Sequence, residues 1–491
     1  MPLIPLDIPP GVLANGQPFQ VGQQGRWHRA NLVRWQDGLL KPVGGWTKLA
    51  DGITGCARAL HAWRDNTLRR YLGIGTTTGL YVYTDSGSIQ DVTPTGFLAG
   101  RCDAIYGAGY GFGPYGAEAY GTVRTSDTNV LDATTWALDN WGENLIAVAN
   151  HEGKIYEWVP GNAEAAQITN SPEGIRAAFV SSERHLVALS GRTVYWSDRE
   201  DNTDWTASTL NQAGQFDLQT TGSLRAGVKV RGQSLLLSDQ DAHTMTFIGS
   251  PLVYSFAVAG TGCGVFGAQA VATTDSFAVW MGPGGFYIFQ GTVQSLPSDV
   301  RDYVFSDINL DQASKTHAAL NDKFNEIWWF YPSADSTEID RYVIWNYVEN
   351  HWSIGELSRL AWEASGVFRQ PLAVDASGNL YQHETGWTAD GAPLNGSRYA
   401  ESGSVSLGVV DQVASLMQMI PDERSLGDTQ VRFNTRFYPN GGETAYGPYT
   451  LSALTDLRFQ AREISARIEG VSDSDWRIGL PRFDVVAGGR R

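Results

Sequence analysis

Short apolar runs, each followed by a tight turn and a second run that carries a tyrosine, recur along the chain. The first member of such a pair is seen at Asn144-Leu145-Ile146-Ala147-Val148 and at His185-Leu186-Val187-Ala188-Leu189. The second reads glycine, one or two residues, an aliphatic or aromatic residue, then tyrosine. Its instances are Gly79-Leu80-Tyr81, Gly153-Lys154-Ile155-Tyr156, Gly191 to Tyr195, Gly285-Phe286-Tyr287 and Gly378-Asn379-Leu380-Tyr381. Two runs across a short turn form a β-hairpin, so the pattern is a hairpin repeated. The tyrosines are separated by 75, 39, 92 and 94 residues. Admitting Thr246-Phe247-Ile248 and Tyr342-Val343-Ile344-Trp345 as variant members reduces most steps to roughly 40–55 residues, the length of a four-stranded propeller blade.

The pattern is different at both ends. Residues 1–50 read as an arm plus first strands, with prolines at 2, 5, 9, 10 and 18 favouring an extended path toward a neighbour. Beyond about residue 390 the Gly-x-Tyr hairpin is gone. Alternating runs replace it, Gln430 to Phe437 and Phe459 to Glu469, as in half-exposed antiparallel strands. The expected fold is therefore all-β: an irregular β-propeller of six or seven blade-like units over 51–390, with a C-terminal β-sandwich-like module over 391–491. One stretch interrupts the propeller, the Gly/Tyr-rich insertion near 105–121. Glycine spacing there opposes regular structure, while Tyr106, Tyr110, Phe112, Tyr115 and Tyr120 offer large contact area, as in binding loops. It is a candidate gating or contact loop, with an idle surface loop as the alternative.

Composition sharpens this reading. Charged residues make up 18%, below the roughly 25% of ordinary domains, and the chain has 55 glycines and 11% aromatics, so helix should be scarce. A net charge of -16 argues against general nucleic-acid binding and suits a wall along which a phosphate backbone slides without sticking. The charge is uneven: residues 26–70 hold nine Lys or Arg against three Asp, a local +6 that leaves -22 for the remainder. Arg26, Trp27, Arg29, Arg34, Trp35 and Trp46 are accordingly candidates for docking on an acidic partner, with dispersed surface charge as the plainer alternative. Cys56, Cys102 and Cys263 make neither a CxxC pair nor an even framework and read as buried free thiols. The opening residues lack a basic start followed by a long apolar stretch, so neither a cleaved leader nor membrane insertion is expected.

No catalytic constellation is legible. The acidic run Ser197 to Trp205 lacks both the Ser-x-Asp-x-Gly-x-x-Trp box of sialidase-like propellers and the alternating order of a calcium loop, and reads as a solvated loop. The eight histidines never fall at i, i+2 or i, i+4, and there is no nucleophile elbow or phosphate loop. No enzyme activity, cofactor or metal is expected. Most of the seventeen tryptophans should fill blade cores, and exposed ones would suit subunit interfaces.

Two stretches carry a resemblance. Gly25 to Leu49, GRWHRANLVRWQDGLLKPVGGWTKL, is similar to the opening of the tail hub or nozzle proteins of short-tailed bacteriophages, which include the packaged-DNA stabilization proteins. In those a strand leads through a Pro-x-Gly-Gly or Pro-Gly turn to the first blade. Arg192 to Gly249 resembles their central blade pair, with a Trp-Ser step, an acidic loop and a long apolar strand. The resemblance implies a structural protein of the virion tail, made in the host cytoplasm. Its subunits would form a ring, a homohexamer in such proteins, below the portal and the adaptor or head-to-tail connector. That ring would hold tail fibre, spike or needle proteins, retain packaged genomic DNA and let it pass at ejection without specific binding. The alternatives are a tail-associated carbohydrate-binding or depolymerising propeller, which would show an aromatic-lined pocket with carboxylates about 5–10 Å apart, and a monomeric bacterial binding propeller.

Overall fold

The computed structural model of the protein describes residues 3–5, 7–16, 20–21, 24–106, 130–406, 413–421, 427–438, 441–451, 454–479 and 481–487. Among these residues, seven four-stranded antiparallel sheets follow one another and form a β-propeller. Their first strands are Ala57–Arg64, Trp136–Trp141, Ala177–Val180, Leu224–Val230, Val271–Thr273, His317–Asn321 and Ala361–Glu363. Each first strand touches the first strand of the next sheet, and the seventh touches the first. That closed circle of innermost strands surrounds a central channel and numbers the blades 1 to 7. Blade 7 is completed from far away in sequence: its outermost strand, Trp46–Ala50, pairs antiparallel with Leu380–His383. A closed ring with this overlap leaves no seam between first and last blade.

The repeated hairpin has one structural meaning. Tyr81, Tyr156, Tyr195, Tyr287 and Tyr381 lie on the third strands of blades 1, 2, 3, 5 and 7, and the variant members Phe247 and Tyr342 lie on the third strands of blades 4 and 6. The preceding apolar runs are second strands, buried on both faces between neighbouring blades, as in Asn144–Ala149 and Leu186–Ser190. Large rings close the space between blades where the facing residue is small. A Cβ added at Gly75 would lie 2.4 Å from Trp136, and one at Gly227 would lie 2.2 Å from Phe179. Trp136, Trp158, Trp280, Trp328 and Trp329 are among the largest fully buried side chains.

The terminal module is a two-sheet sandwich to which both ends of the described chain contribute. One sheet runs Leu3–Pro5, Arg482–Ala487, Ala414–Ile420, Thr455–Ala461. The other runs Trp27–Asn31, Tyr399–Ser402, Glu463–Gly470, Thr429–Arg436, Thr444–Thr450. Leu416, Phe433, Phe459, Ile468 and Phe483 fill the space between them. The strand in the proline-rich start pairs with Arg482–Ala487 of its own chain. The alternating run Phe459 to Glu469 is divided between the two sheets: Thr455–Ala461 ends in one, and after Arg462 the chain enters the other as Glu463–Gly470. Cys56 and Cys102 correct the expectation of free thiols, for they form a disulfide; Cys263 is free and buried. Their 46-residue separation closes only because the chain completes blade 1 and returns to the start of its innermost strand. No helix among the described residues is long and apolar enough to cross a membrane.

Candidate functional site: the two mouths of the central channel

Each innermost strand starts at one mouth of the channel and ends at the other, so residues near strand starts gather on one face of the propeller. The stems of the Gly/Tyr insertion are tied down there. Arg58, at the start of blade 1, donates to the Cys102 carbonyl at 2.9 Å and forms a two-point ion pair with Glu338 at 3.0 and 2.7 Å. Gln312, before blade 6, exchanges two hydrogen bonds with the Ala104 backbone at 2.8 and 2.9 Å. Lys315 donates to Asp103 at 2.5 Å and to the Thr337 carbonyl at 2.6 Å. On the return side Asp132 pairs with Arg225 of blade 4 and lies 3.7 Å from Arg176 before blade 3. Ile105–Tyr106 pairs with Val130–Leu131, so the stems form a short ladder. Tyr110, Phe112, Tyr115 and Tyr120 lie outside the described residues, and Tyr106 is placed only by its backbone.

The opposite mouth is open and polar. Asp139 of blade 2 accepts from the backbone N–H groups of Asn140 and Val180, each at 2.8 Å, and lies 3.6 Å from the Lys229 ammonium and 4.0 Å from His61 Nε2. Burial lowers the His61 pKa, with Asp139 opposing the shift, so the ring is neutral near pH 7. His61, Asp139, Asn140 and Lys229 border a recess of about 340 Å³. A second space of about 720 Å³ adjoins it at Lys229 and Thr273, between the inner hairpin turns of blades 4, 5 and 6. Deeper in the ring, His317 is buried against Phe330 and its pKa falls to about 3, first through burial and then through Arg58. Burial raises the Glu363 carboxyl, on the innermost strand of blade 7, to about 8. Among the described residues no group of three or more His, Cys, Asp or Glu is arranged to hold a metal ion.

The six docking candidates are not on one free face. Arg34, Trp27 and Trp35 are buried, at 2%, 5% and 2% exposure. Arg34 lies on the hairpin Val33–Gln36/Leu39–Pro42, which sits between sandwich and propeller. Its guanidinium donates to both oxygens of Glu384, at 2.5 and 3.1 Å, and its Nε lies 3.0 Å from Glu326, with the Phe324 ring 3.7 Å away. Asn321 and the Gly44 N–H also donate to Glu384. Burial alone would raise both carboxyls. Glu326 is indeed held up, to about 7, while Arg34 and these hydrogen bonds keep Glu384 below its usual range. Arg26 is paired with Asp299 at 3.0 Å, and half-buried Trp46 lies against His383 and under Arg359. Arg29 alone of the six is exposed. The local basic excess is thus matched inside the chain by Asp299, Glu326, Glu338 and Glu384. Sequence reasoning missed these acids because the nearest lies more than 200 residues from the segment it neutralises.

The acidic run Ser197 to Trp205 is an ordered turn whose carboxylates cap backbone N–H groups, Asp201 that of Thr203 at 2.9 Å and Asp198 that of Gln212 at 2.7 Å. No protein family and no curated protein matches the chain by sequence. Among solved structures it is similar to the β-propeller domain of Cps50 (Swd1) from Myceliophteria thermophila, at 8% identity over 69% of this chain and 99% of that one, TM-score 0.41. It is also similar to YCF48 from Cyanidioschyzon merolae, at 9% identity over 69% and 98%, TM-score 0.39. These are likenesses of fold alone.

Proposed function

We propose that the chain is a non-enzymatic structural subunit of a short-tailed phage tail, a nozzle or hub whose copies form a ring, a hexamer in the proteins it resembles. In this reading the ring continues the DNA channel below portal and adaptor, retains the packaged genome and lets it out. The observation that carries the reading is the position of Gly25 to Leu49, the stretch with the clearest resemblance to such proteins. It supplies a sandwich strand, the Arg34 hairpin and the closing strand of blade 7 in succession, and so ties the two modules together, as a part that transmits force requires.

Two further features support it. Thr444–Thr450 is the outermost strand of its sheet, largely exposed and without a charged residue. Pro448 and the register shift between Val431 and Phe433 blunt part of this edge, and a neighbouring subunit would cover the rest. The recess at the propeller's own axis holds about 340 Å³, far less than the volume of even one turn of a duplex roughly 20 Å across. The conduit would therefore run between subunits, along a wall belonging to a chain of net charge -16.

Light scattering of the purified chain at several concentrations, followed by negative-stain imaging, tests the proposal. The expected result is a closed ring with a hole of roughly 20 Å or more. A chain that stays monomeric at every concentration, and also when mixed with the connector ring of its phage, would overturn it.

A further inference from the structure

Three consecutive inner hairpin turns, at Arg231–Gly232 of blade 4, residues 274–277 of blade 5 and Asp322–Asn325 of blade 6, surround the 720 Å³ space on the open face. It runs inward to the axial recess past Lys229 and Thr273, and outward past Arg231, Asp275 and Ser276 to Gln290, where a further 540 Å³ is open. The whole is a groove from axis to rim, and its central part alone falls within the about 300–1,000 Å³ of ligand sites.

The chemistry of its walls selects a ligand class. Blade 4 contributes Lys229, which also lies 3.6 Å from Asp139, and Arg231, which also donates to the Gln290 carbonyl at 2.6 Å; blades 5 and 6 contribute Asp275 and Asp322. A phosphate or polyanion would meet the carboxylates, and a metal ion or amine would meet the ammonium and guanidinium, so the balanced lining favours neither. A wholly apolar ligand would strand these groups. An extended peptide gains most of its affinity from a free strand edge, but this wall is built of hairpin turns and offers no strand edge; the Thr274 N–H, for one, closes its own turn on the Phe277 carbonyl at 2.8 Å. What fits is a neutral molecule with many hydroxyls and apolar ring faces. Carboxylates accept from adjacent hydroxyls, Lys and Arg donate to ring and hydroxyl oxygens, and Tyr347, set at 69° to Phe277 with centroids 5.6 Å apart, offers a ring at the wall. Asp275, Asp322 and Tyr347 all line this space; Asp322 is held above the usual carboxylate range by burial and by Asp275, and Tyr347 is raised by burial and by Asp322.

We infer that this groove binds a neutral oligosaccharide, with Asp275 and Asp322 gripping hydroxyls and Tyr347 stacking on a sugar ring. The inference stands apart from the tail reading, since it uses only the turns of blades 4 to 6.

The full chain would be applied to arrayed neutral hexose and N-acetylhexosamine oligosaccharides beside uronate-containing ones, and the tightest binder titrated by calorimetry. Neutral chains of several sugars are expected to be retained, with an affinity little changed between low and high salt because the ligand carries no charge. Asp322→Asn and Tyr347→Ala should each weaken binding at least about ten-fold, roughly one hydrogen-bonded or stacked contact. Ser276→Trp, which fills the groove from an exposed turn, should abolish it while circular dichroism and the melting temperature stay unchanged. Retention of no neutral chain, retention of uronates only, or binding indifferent to Ser276→Trp would overturn the assignment.

Discussion

Between neighbouring blades the contacts are large rings laid over small residues, as where Trp136 covers Gly75 and Phe179 covers Gly227. At the joint between propeller and sandwich the apolar cluster that runs from Trp345 and Trp352 through Trp35 and Leu40 to Ile478 also holds an ion triad, with Arg34 buried between Glu326 and Glu384. The two solutions respond differently to change. Apolar packing is non-directional, and each blade repeats it, so the loss of one contact is shared among many. A buried ion triad works only as a set, because removing the cation leaves two carboxylates facing each other out of water. The triad therefore adds a directional contact to the apolar packing at the joint, whereas the contacts between blades rest mainly on packing.

Breaking the joint should give the largest effect. Arg34→Ala is expected to cost about 3–5 kcal/mol, the range for an orphaned buried charge, read as a lowered urea midpoint by tryptophan fluorescence. Arg34→Ala combined with Glu326→Gln and Glu384→Gln should recover much of that loss by removing the stranded charges. A loss below about 1 kcal/mol for Arg34→Ala would mean that the triad behaves like a surface pair. Overfilling a blade contact should matter less. Gly75→Ala sets a methyl group against the Trp136 indole, whose Nε1 donates to the Thr76 carbonyl at 2.8 Å, so the ring cannot turn away freely. The expected cost is about 1–3 kcal/mol, with the urea slope unchanged.

This contrast also explains what the sequence disclosed. The third strand of a blade is a local element, and its Gly-x-Tyr pattern is written within four or five residues, so the repeat was legible even at blades 4 and 6, where Phe247 and Tyr342 stand in different company. Pairings across the whole chain left no such trace. Trp46–Ala50 closes blade 7 and Trp27–Asn31 joins Tyr399–Ser402, each more than 300 residues away, and nothing local separates these strands from a free arm. The basic stretch looked like surface for the same reason, because Glu326, Glu338 and Glu384 reach it only through the fold. The groove at blades 4 to 6 left no local trace either: Asp275, Asp322 and Tyr347 lie in three separate turns, and only the ring of blades brings the turns together.

The smallest effect concerns an ionisable group on the innermost strand of blade 7, Glu363. Burial raises its carboxyl from about 4.5 to about 8, and the backbone hydrogen bond from Ala62 offsets this only in part. Between those two values the folded chain holds a proton that the unfolded chain has lost, so folding binds protons and stability falls as pH rises through this window. Below pH 4.5 both states are protonated and the group contributes no slope. Glu363→Gln keeps the shape and removes the titration. The variant should therefore melt at much the same temperature as the parent at pH 4.5 and roughly 2–4 °C higher at pH 8.5, by differential scanning calorimetry. Arg34→Ala, whose damage follows different carboxylates, should leave this difference intact, because residues in separate networks act additively. An equal gain for Glu363→Gln at both pH values would show that its effect lies in packing and not in the proton it holds.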